Sequence, residues 1–523
     1  MSGGGQPFQN DNGDKAVKRF IGWKFTSRSR NMKKLATAIV FFASVFCART
    51  AFCGYLTVSD DIADPLTLDP QRQFSEKNHT ICQQIFDGLV RFDPEGKIEP
   101  ALAVSWERLD VTRTRFKLRE GVAFHNGEPF DSAAVKFSIE RYLDPATGFP
   151  ARAFIDSIER VETPDKYTVD IITKYPDGIL LNRLAGFILI SPPAYIKEKG
   201  GEYFASDPVG TGAFIFRKWD KGKQLSLEAN KKYWLSGYPK IDGLVFRFIP
   251  QEKQLKALFS GEVDLITDLP GTQTLKLKSR PGFTVMKKAS FYTVPPCLNL
   301  SSGPLSSVRV RKAMNYALNK ESLIRYDLLG NGKPIATFSM EGEVGHNASL
   351  TPYKFDLSKA KNLLAEAGYP DGFRLKVLVK ANAGRTAKII ASDLKKAGII
   401  LDITIVADAD ILKEFASKVY DMAIGGNPDP MYHSYFNQAI VLYSRSPFCL
   451  GGDTEFDKML GDMVSTLDAS KGADLSKELD TYIYNNAMSL FTYQKIIVSG
   501  VKKTVRFIPS ASGMPYFYLS SFK

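Results

Sequence analysis

The chain has 523 residues, which is too long for a single core and suggests two or three folding units. Its hydrophobic share of 44% and charged share of 24% are those of an ordinary globular protein. Residues 1–53 hold nine Lys or Arg and two acids, so they supply +7 of the net charge of +13, and the other +6 is scattered over 470 residues. Such mild, dispersed charge argues against a nucleic-acid-binding surface.

The amino-terminal segment has the plan of a secretory signal peptide. Met32 begins a short basic stretch, residues 35–48 read LATAIVFFASVFCA, and small residues follow up to Gly54. The apolar run is shorter than the ~20 residues needed to span a bilayer. We therefore interpret residues 1–53 as leader and signal peptide, predict that translation starts at Met32, and expect a periplasmic protein.

Cysteine placement leaves two questions open. Cys53 is either close to the cleavage point or a lipid anchor, but Thr50 and Phe52 stand where a lipoprotein signal has a large aliphatic and a small residue. We therefore favour a soluble exported protein over one anchored at Cys53. Three cysteines remain beyond the leader: Cys82, Cys297 and Cys449. Export permits one disulfide among them, and the sequence leaves both its existence and its partners open.

Strands and helices alternate along the mature chain. Alternating apolar and polar residues predict strands at 55–58, 114–118 and 167–173. Helical spacing predicts four helices: one capped by Asp131 or Ser132 and stopped before Pro145, one after Ser307, one over 356–368 and one around 475–483. A long α/β chain without a flexible linker is typical of two lobes joined by crossing strands, around a cleft that closes on a ligand.

Four collinear blocks carry a family resemblance. Residues 117–130 read KLREGVAFHNGEPF within a longer match over 100–142, and further blocks cover 207–234, 304–324 and 356–373. The chain resembles the family 5 solute-binding proteins, the peptide- and nickel-binding group of ABC importers, over most of residues 54–500. Because the blocks keep their order, they are more specific than any single motif.

That resemblance implies an α/β, two-lobed periplasmic-binding-protein fold of type II, with an extra subdomain inserted into lobe 1. Lobe 1 is expected over 54–290, with the insertion at about 73–186. Lobe 2 is expected over 291–490, and it begins with a strand at 291–299. Residues 491–523 are expected to return to lobe 1.

Most residues of the matching blocks have a structural interpretation. Gly121 and Gly127 can supply the positive φ of tight turns. Gly210 and Gly212 mark a place where the chain must pass close to other backbone. We therefore interpret His125, which lies inside the first block, as structural rather than ligand-binding.

The ligand-anchoring segment of the family corresponds to residues 420–436, YDMAIGGNPDPMYHSYF. Peptide-binding members place an Asp here, and its carboxylate pairs with the amino group of the ligand in a desolvated cleft. In this chain that place falls on Gly426 or Asn427, and Asp429 either takes over the role or initiates a turn with the proline that follows it. The predicted ligand-binding residues are Asp429, Asn427, Gly426, Tyr292 and His433.

Other solutes and an enzyme are the competing hypotheses. Nickel, a metal chelate, haem or another small solute is the alternative cargo, although the four His are dispersed and show no metal-ligand spacing. An exported hydrolase is the remote alternative, since there is no Gly-x-Ser-x-Gly, P-loop or His-Glu-x-x-His motif. We predict a monomeric, non-enzymatic binder of di- or oligopeptides, cell-wall peptides among them. No cofactor or metal is expected, and its partners are an ABC permease and its ATPase subunits in the inner membrane.

Overall fold

The computed structural model describes residues 54–60, 64–407 and 410–523, which belong to one compact unit, Phe52–Lys523. The predicted leader, the start at Met32 and the anchor question at Cys53 lie outside the described residues. The described strands are β1 Tyr55–Asp60, β2 Val90–Phe92, β3 Ile98–Pro100, β4 Ala103–Arg108, β5 Arg113–Leu118, β6 Ile158–Asp165, β7 Thr168–Thr173, β8 Phe214–Asp220, β9 Gln224–Ala229, β10 Gly243–Phe248, β11 Leu265–Ile266, β12 Phe283–Ala289, β13 Tyr292–Thr293, β14 Cys297–Leu298, β15 Gly332–Pro334, β16 Phe373–Lys380, β17 Ile399–Val406, β18 Met422–Ile424, β19 Asn427–Pro428, β20 Tyr493–Lys502, β21 Val505–Arg506 and β22 Ser521–Phe522. The described α-helices are α1 Glu76–Ile85, α2 Ser132–Leu143, α3 Leu180–Phe187, α4 Pro193–Lys199, α5 Gly201–Phe204, α6 Gln251–Ser260, α7 Gly271–Lys278, α8 Val308–Ala317, α9 Lys320–Asp327, α10 Leu357–Glu366, α11 Gly384–Lys395, α12 Ile411–Ala416, α13 Tyr435–Leu442, α14 Thr454–Ser465 and α15 Ala469–Asn485.

The large sheet has eight strands in the order β12-β20-β11-β1-β10-β9-β8, with β15 added beside β20. Strand β1 lies at its centre, parallel to β10 and β11, and buries Leu56 and Val58 completely. The prediction of a first strand is therefore confirmed. Strand β20 comes from the far end of the chain and pairs with β11 and β12, so early and late segments share one sheet.

A second sheet is antiparallel, has the order β4-β5-β7-β6, and lies between β1 and β8 in the chain. Helix α2 packs on β6. It begins after Asp131, whose side chain accepts a hydrogen bond from the Ala133 N–H at 3.0 Å. The strands predicted at 114–118 and 167–173 and the capped helix are confirmed, and the limits of the insertion stay a prediction.

The turn inside the first matching block has the geometry that its glycines predict. Gly121 and Gly127 have φ of +73° and +90°. The Phe124 N–H donates to the Glu128 carbonyl at 2.8 Å and closes the turn. Phe124 and Phe130 are both buried, with ring centroids 6.5 Å apart, so they fix the turn to the core.

The same block packs against Gly210 and Gly212. A Cβ at Gly210 would stand 2.1 Å from the carbonyl oxygen of Ile85, which confirms the expected close backbone approach. The His125 Nε2–H donates to the Gly212 carbonyl at 2.9 Å. Burial lowers the pKa of His125 to about 4, so the ring is neutral at pH 7. This geometry agrees with the structural interpretation of His125.

The small sheet has the order β14-β18-β16-β17, and β16 runs parallel to both β17 and β18. Val377 and Val379 of β16 are completely buried. Helix α8 follows Ser307 as predicted, and α10 begins after Asp356, whose carboxylate accepts the Lys359 N–H at 2.8 Å. Helix α15 is the helix predicted near the end of the chain.

Two chain segments cross between the large and small sheets. The prediction of one continuous strand over 291–299 is wrong, because β13 and β14 are separate and Pro295 and Pro296 lie between them. Proline has no N–H to donate, so it interrupts the ladder. The second segment leads into β20, and its Thr492 hydroxyl donates to the Val294 carbonyl at 2.8 Å. The two crossing segments are thus tied to each other.

Candidate functional site

A pocket with a cavity volume of about 80 Å³ lies at the carboxyl edge of the small sheet. Strand β16 ends there with Lys380, and Gly425 and Asn427 follow β18. Ligands of α/β proteins bind at the carboxyl ends of parallel strands, where loop side chains converge. The pocket is lined by Pro295, Cys297, Leu378, Lys380, Ile411, Phe415, Ala423, Ile424, Gly425, Asn427, Ile440, Val441 and Phe448. Its wall is therefore mostly apolar, with one cationic group and one amide.

Two glycines allow side chains to pack directly on the backbone beside this pocket. A Cβ at Gly426 would stand 1.7 Å from the Tyr292 hydroxyl oxygen, and one at Gly425 would stand 2.8 Å from Cδ of Lys380. Asn427 pairs with Thr293 in the short ladder between β13 and β19. The side chains of Tyr292 and Lys380 therefore pack on Gly426 and Gly425, and no larger residue fits at either glycine without moving them.

Charged groups surround Tyr292 on the side of the large sheet. The Lys495 ammonium lies 5.3 Å from the centre of the Tyr292 ring and 2.6 Å from the Asp268 carboxylate. Burial raises the pKa of the Tyr292 hydroxyl, and the nearby carboxylates of Glu76 and Asp268 raise it further. Burial opposes the ionisation of Asp268, but Lys495 and Lys77 outweigh it and lower the pKa of that carboxyl. A carboxylate, Asp268, and an ammonium group, Lys495, are thus both held beside the Tyr292 ring.

Asp429 is completely buried, and the chain itself occupies both of its carboxylate oxygens. They accept the N–H groups of Met431 at 2.6 Å and His433 at 3.0 Å. The carboxyl also shares a hydrogen bond with Glu343, which accepts the Met340 N–H at 2.7 Å. Burial raises the pKa of Asp429, and these hydrogen bonds lower it in part. The net result is a pKa of about 7. Its geometry is that of a residue that initiates and caps a turn.

His433 is also buried, and its polar contacts are internal. Its Nδ1 accepts the Tyr435 N–H at 3.1 Å. Burial lowers the pKa of His433 to about 4, so the imidazole is neutral at pH 7. The ring thereby caps the start of α13.

The turn after Asp429 contacts other parts of the molecule. The Asn182 side chain of α3 donates to the Met431 carbonyl at 2.8 Å. Tyr432, which has a positive φ of 54°, stacks on Phe92 with centroids 4.4 Å apart. Its hydroxyl lies 2.7 Å from that of Ser510. This turn therefore joins the small-sheet region to α3, β2 and the carboxyl-terminal segment.

The structure brings Tyr292, Gly426 and Asn427 together and places Asp429 and His433 behind them. The Asp429 N–H donates to the Phe291 carbonyl at 2.7 Å, so the buried pair lies directly next to β13. A role of these five residues as ligand contacts stays a prediction. The geometry of Asp429 agrees with the turn-initiating alternative.

Sequence reasoning missed Lys380, Asp268 and Lys495. They lie on β16, after β11 and on β20, so no local spacing links them. One signal was available for Lys380, because it directly follows the apolar run VLV at 377–379, which is typical of a buried strand in an α/β sheet, and such strands point their carboxyl ends at ligands. The salt bridge between the other two joins residues 227 positions apart, which no motif encodes.

Within residues 54–60, 64–407 and 410–523, no group of three or more His, Cys, Asp or Glu is arranged to hold a metal ion. No helix among those same residues has the length and apolar character needed to cross a bilayer.

Sequence comparison places this architecture beside known proteins. The profile described as Bacterial extracellular solute-binding proteins, family 5 Middle, matches residues 97–445, which is more than half of the chain. The Glutathione-binding protein GsiB of Shigella dysenteriae is 30% identical over 378 residues, covering 71% of this chain and 72% of the relative. GsiB of Escherichia coli K12 is 30% identical over 370 residues, covering 69% and 72%.

Solved structures show the same fold. The periplasmic binding protein DppA from Helicobacter pylori, in complex with peptide STSA, has a TM-score of 0.79 at 26% identity and covers 91% of this chain and 99% of its own. The periplasmic binding protein AgaA from A. tumefacien R10, in complex with agropinic acid, has a TM-score of 0.78 at 26% identity, and the match covers 90% of this chain and 99% of its own. The prediction of a two-lobed α/β periplasmic-binding-protein fold is confirmed.

Proposed function

This chain belongs to the bacterial extracellular solute-binding proteins of family 5 of ABC importers, and we propose that its solute is a peptide. It captures a di- or oligopeptide, with cell-wall peptides in this class, in the cleft between its lobes. It then delivers the peptide to a membrane permease that works with ATPase subunits. Support comes from the Glutathione-binding protein GsiB and from DppA in complex with peptide STSA, which are similar to this chain.

The observation that carries this proposal is the meeting of opposite charges beside an apolar pocket. Lys380 lies at the pocket on the small-sheet side, whereas Asp268 and Lys495 lie by Tyr292 on the large-sheet side. A peptide is a zwitterion with side chains of varied polarity. We expect its carboxylate beside Lys380, its amino group beside Asp268, and one apolar side chain in the pocket.

The mechanism we propose is closure of the cleft by contacts that the peptide makes with both lobes at once. Lobe 1 comprises 54–290, with the insertion at about 73–186, and 491–523; lobe 2 comprises 291–490. The crossing segments around β13 and β20 act as the hinge. Backbone groups of an extended peptide would pair with strand edges in the cleft, which gives affinity with little side-chain preference.

The same proposal covers location and chemistry. The protein is exported by the leader to the periplasm, acts as a monomer and performs no catalysis. Its function is carried by selective binding and release rather than by bond cleavage. Among the family neighbours, a protein that binds agropinic acid shows that the fold also carries non-peptide solutes, so the test must include the identity of the natural ligand.

The first experiment identifies the ligand that purifies with the protein and then measures binding. Native mass spectrometry of the exported protein is expected to release a peptide. Calorimetry with glutathione and with peptide STSA is expected to detect binding of at least one probe. A protein that carries a non-peptide solute and binds neither probe contradicts the proposal.

A matched pair of variants tests the site. Lys380→Gln removes the cation at the pocket and is expected to weaken binding of the probe by at least about tenfold, or ~1.4 kcal/mol. Lys376→Gln removes the same charge from the same strand at an exposed position and is expected to leave affinity unchanged. Equal affinities of the two variants would remove Lys380 from the site.

A further inference from the structure

Cys297 and Cys449 place their sulfur atoms at the same end of α13. The Cys297 thiol donates to the Val441 carbonyl at 3.4 Å, and the Cys449 thiol donates to the Leu442 carbonyl at 3.6 Å. These two carbonyls belong to consecutive residues at the last turn of the helix. The two thiols therefore lie side by side although the chain separates them by 152 positions.

The backbone around Cys449 is held against β14. The Leu450 N–H donates to the Cys297 sulfur at 3.4 Å, and this nitrogen is covalently joined to Cys449. One residue later, a Cβ at Gly451 would stand 2.9 Å from the Leu300 nitrogen, so the chain passes tightly along the residues after β14. Cys449 itself lies in an irregular segment, where rotation of its side chain alone can reorient the sulfur.

We propose that Cys297 and Cys449 form a disulfide bond when the exported protein meets an organic disulfide that acts as oxidant. Both are thiols in this structure. Disulfides form and persist outside the cytosol, which is where an extracellular solute-binding protein acts. The remaining described cysteine, Cys82, is buried on α1, where its thiol donates to the Leu68 carbonyl at 3.7 Å, and it takes no part.

Exposure and acidity set the order of the two exchange steps. Burial raises the pKa of Cys449 to about 11, and it raises the pKa of the more deeply buried Cys297 further. Cys449 therefore supplies the first thiolate. It attacks one sulfur of the donor disulfide, the donor S–S bond breaks, and one donor thiolate leaves.

The second step closes the bond within the chain. The thiolate of Cys297 attacks the Cys449 sulfur of the mixed disulfide, the new S–S bond forms, and the second donor thiolate leaves. The two protons of the cysteine thiols end on the two released thiolates. Two electrons have then passed from the cysteine pair to the donor, which is reduced to two thiols.

The bond has a consequence for the pocket at the carboxyl edge of the small sheet. Cys297 and Phe448 both line that pocket, and Phe448 also packs on Phe415 with ring centroids 5.4 Å apart. A disulfide from Cys449 to Cys297 fixes the segment that carries Phe448 to β14. The oxidised protein is therefore expected to have a more rigid pocket wall than the reduced protein.

Peptide mapping of the folded full-length chain tests the bond directly. After treatment with cystamine and alkylation of free thiols, trypsin is expected to release peptides 289–309 and 446–458 joined to each other, and a reducing agent separates them. Cys82→Ser is expected to keep this linked species, and Cys449→Ser to lose it. Separate peptides after treatment, or a link that involves peptide 78–91, overturn the proposal.

Hydrogen exchange tests the effect on the pocket wall. Amide exchange in residues 444–452 is expected to slow by about tenfold in the oxidised protein, because the segment can no longer open independently of β14. The Cys449→Ser variant is expected to show no change on oxidation. Equal exchange rates in the oxidised and reduced wild type would refute the expectation that the disulfide makes the pocket wall more rigid.

Discussion

The buried carboxyl pair Glu343 and Asp429 predicts an unusual dependence of stability on pH. Glu343 is 6% exposed and Asp429 is fully buried, and a hydrogen bond joins their carboxyl groups. Burial raises the pKa of Glu343 well above its ordinary value, and the adjacent Asp429 raises it further. The pKa of Asp429 is raised to about 7. The folded protein therefore holds a proton that the unfolded chain has already released above about pH 5.

The sign and size of the effect follow from this difference in proton binding. A carboxyl whose pKa is raised in the folded state stabilises the protein at low pH, and that stability is lost as the pH rises through the folded value. One proton corresponds to about 1.4 kcal/mol per pH unit. From pH 6.5 to 8, the free energy of unfolding contributed by the pair is expected to fall by up to about 2 kcal/mol.

Glu343→Gln is the perturbation that isolates the pair. The amide group introduced by this substitution can donate a hydrogen bond to Asp429 and still accept one from the Met340 N–H. Asp429 then ionises without a second carboxyl group that shares its proton. Other buried groups titrate as well; burial lowers the pKa of Lys320 to about 7, for example, which acts with the opposite sign. The quantity to compare is therefore the difference between wild type and variant, measured by urea unfolding at several pH values.

An exposed neighbour provides the control. Glu341→Gln removes a surface carboxylate whose pKa is already lowered by Lys333, so its curve of unfolding free energy against pH is expected to run parallel to that of the wild type from pH 6.5 to 8. The Glu343→Gln curve is expected to converge on the wild-type curve as the pH rises. Parallel curves for Glu343→Gln and wild type would refute the shared proton.

Three further outcomes are expected. Gly426→Ala forces a methyl group onto the Tyr292 hydroxyl and is expected to weaken peptide binding by about tenfold in calorimetry; unchanged affinity would move the ligand away from this contact. Asp429→Ala leaves the N–H groups of Met431 and His433 unpaired, so urea unfolding should show a loss of about 2–5 kcal/mol, and we expect peptide binding to weaken about tenfold. A screen of peptide and ester substrates is expected to show no turnover, and hydrolysis abolished by mutation of a single nucleophile would contradict a pure binding role.

Local features of this fold could be predicted because their causes are local. Asp131 and Asp356 cap helices through hydrogen bonds to residues two and three positions ahead. Gly127 has the positive φ that its place in a tight turn demands. The prolines at 295 and 296 were also visible in the sequence, and they interrupt the strand over 291–299 that the family resemblance implied. In each case the deciding interaction lies within a few residues along the chain.

Asp429 shows where local inference stops. The sequence left it open between an anchor for the amino group of the ligand and the start of a turn. Its two hydrogen bonds to residues two and four positions ahead fit the turn, and that part was within reach of sequence reasoning. The proximity of Glu343, 86 positions earlier, could not be inferred from the sequence. It depends on how the segment before α10 packs against the turn.

The sequence by itself determined the family, the two-lobed α/β fold and the alternation of its elements, since these rest on short-range propensities and on blocks that keep their order. Tertiary structure alone decided that Lys380, Tyr292 and Gly426 meet, that Asp268 pairs with Lys495, and that two of the three described cysteines lie together. The physical reason is that burial and charge pairing act through space. Residues more than a hundred positions apart acquire their pKa values and partners only when the crossing segments bring the sheets together.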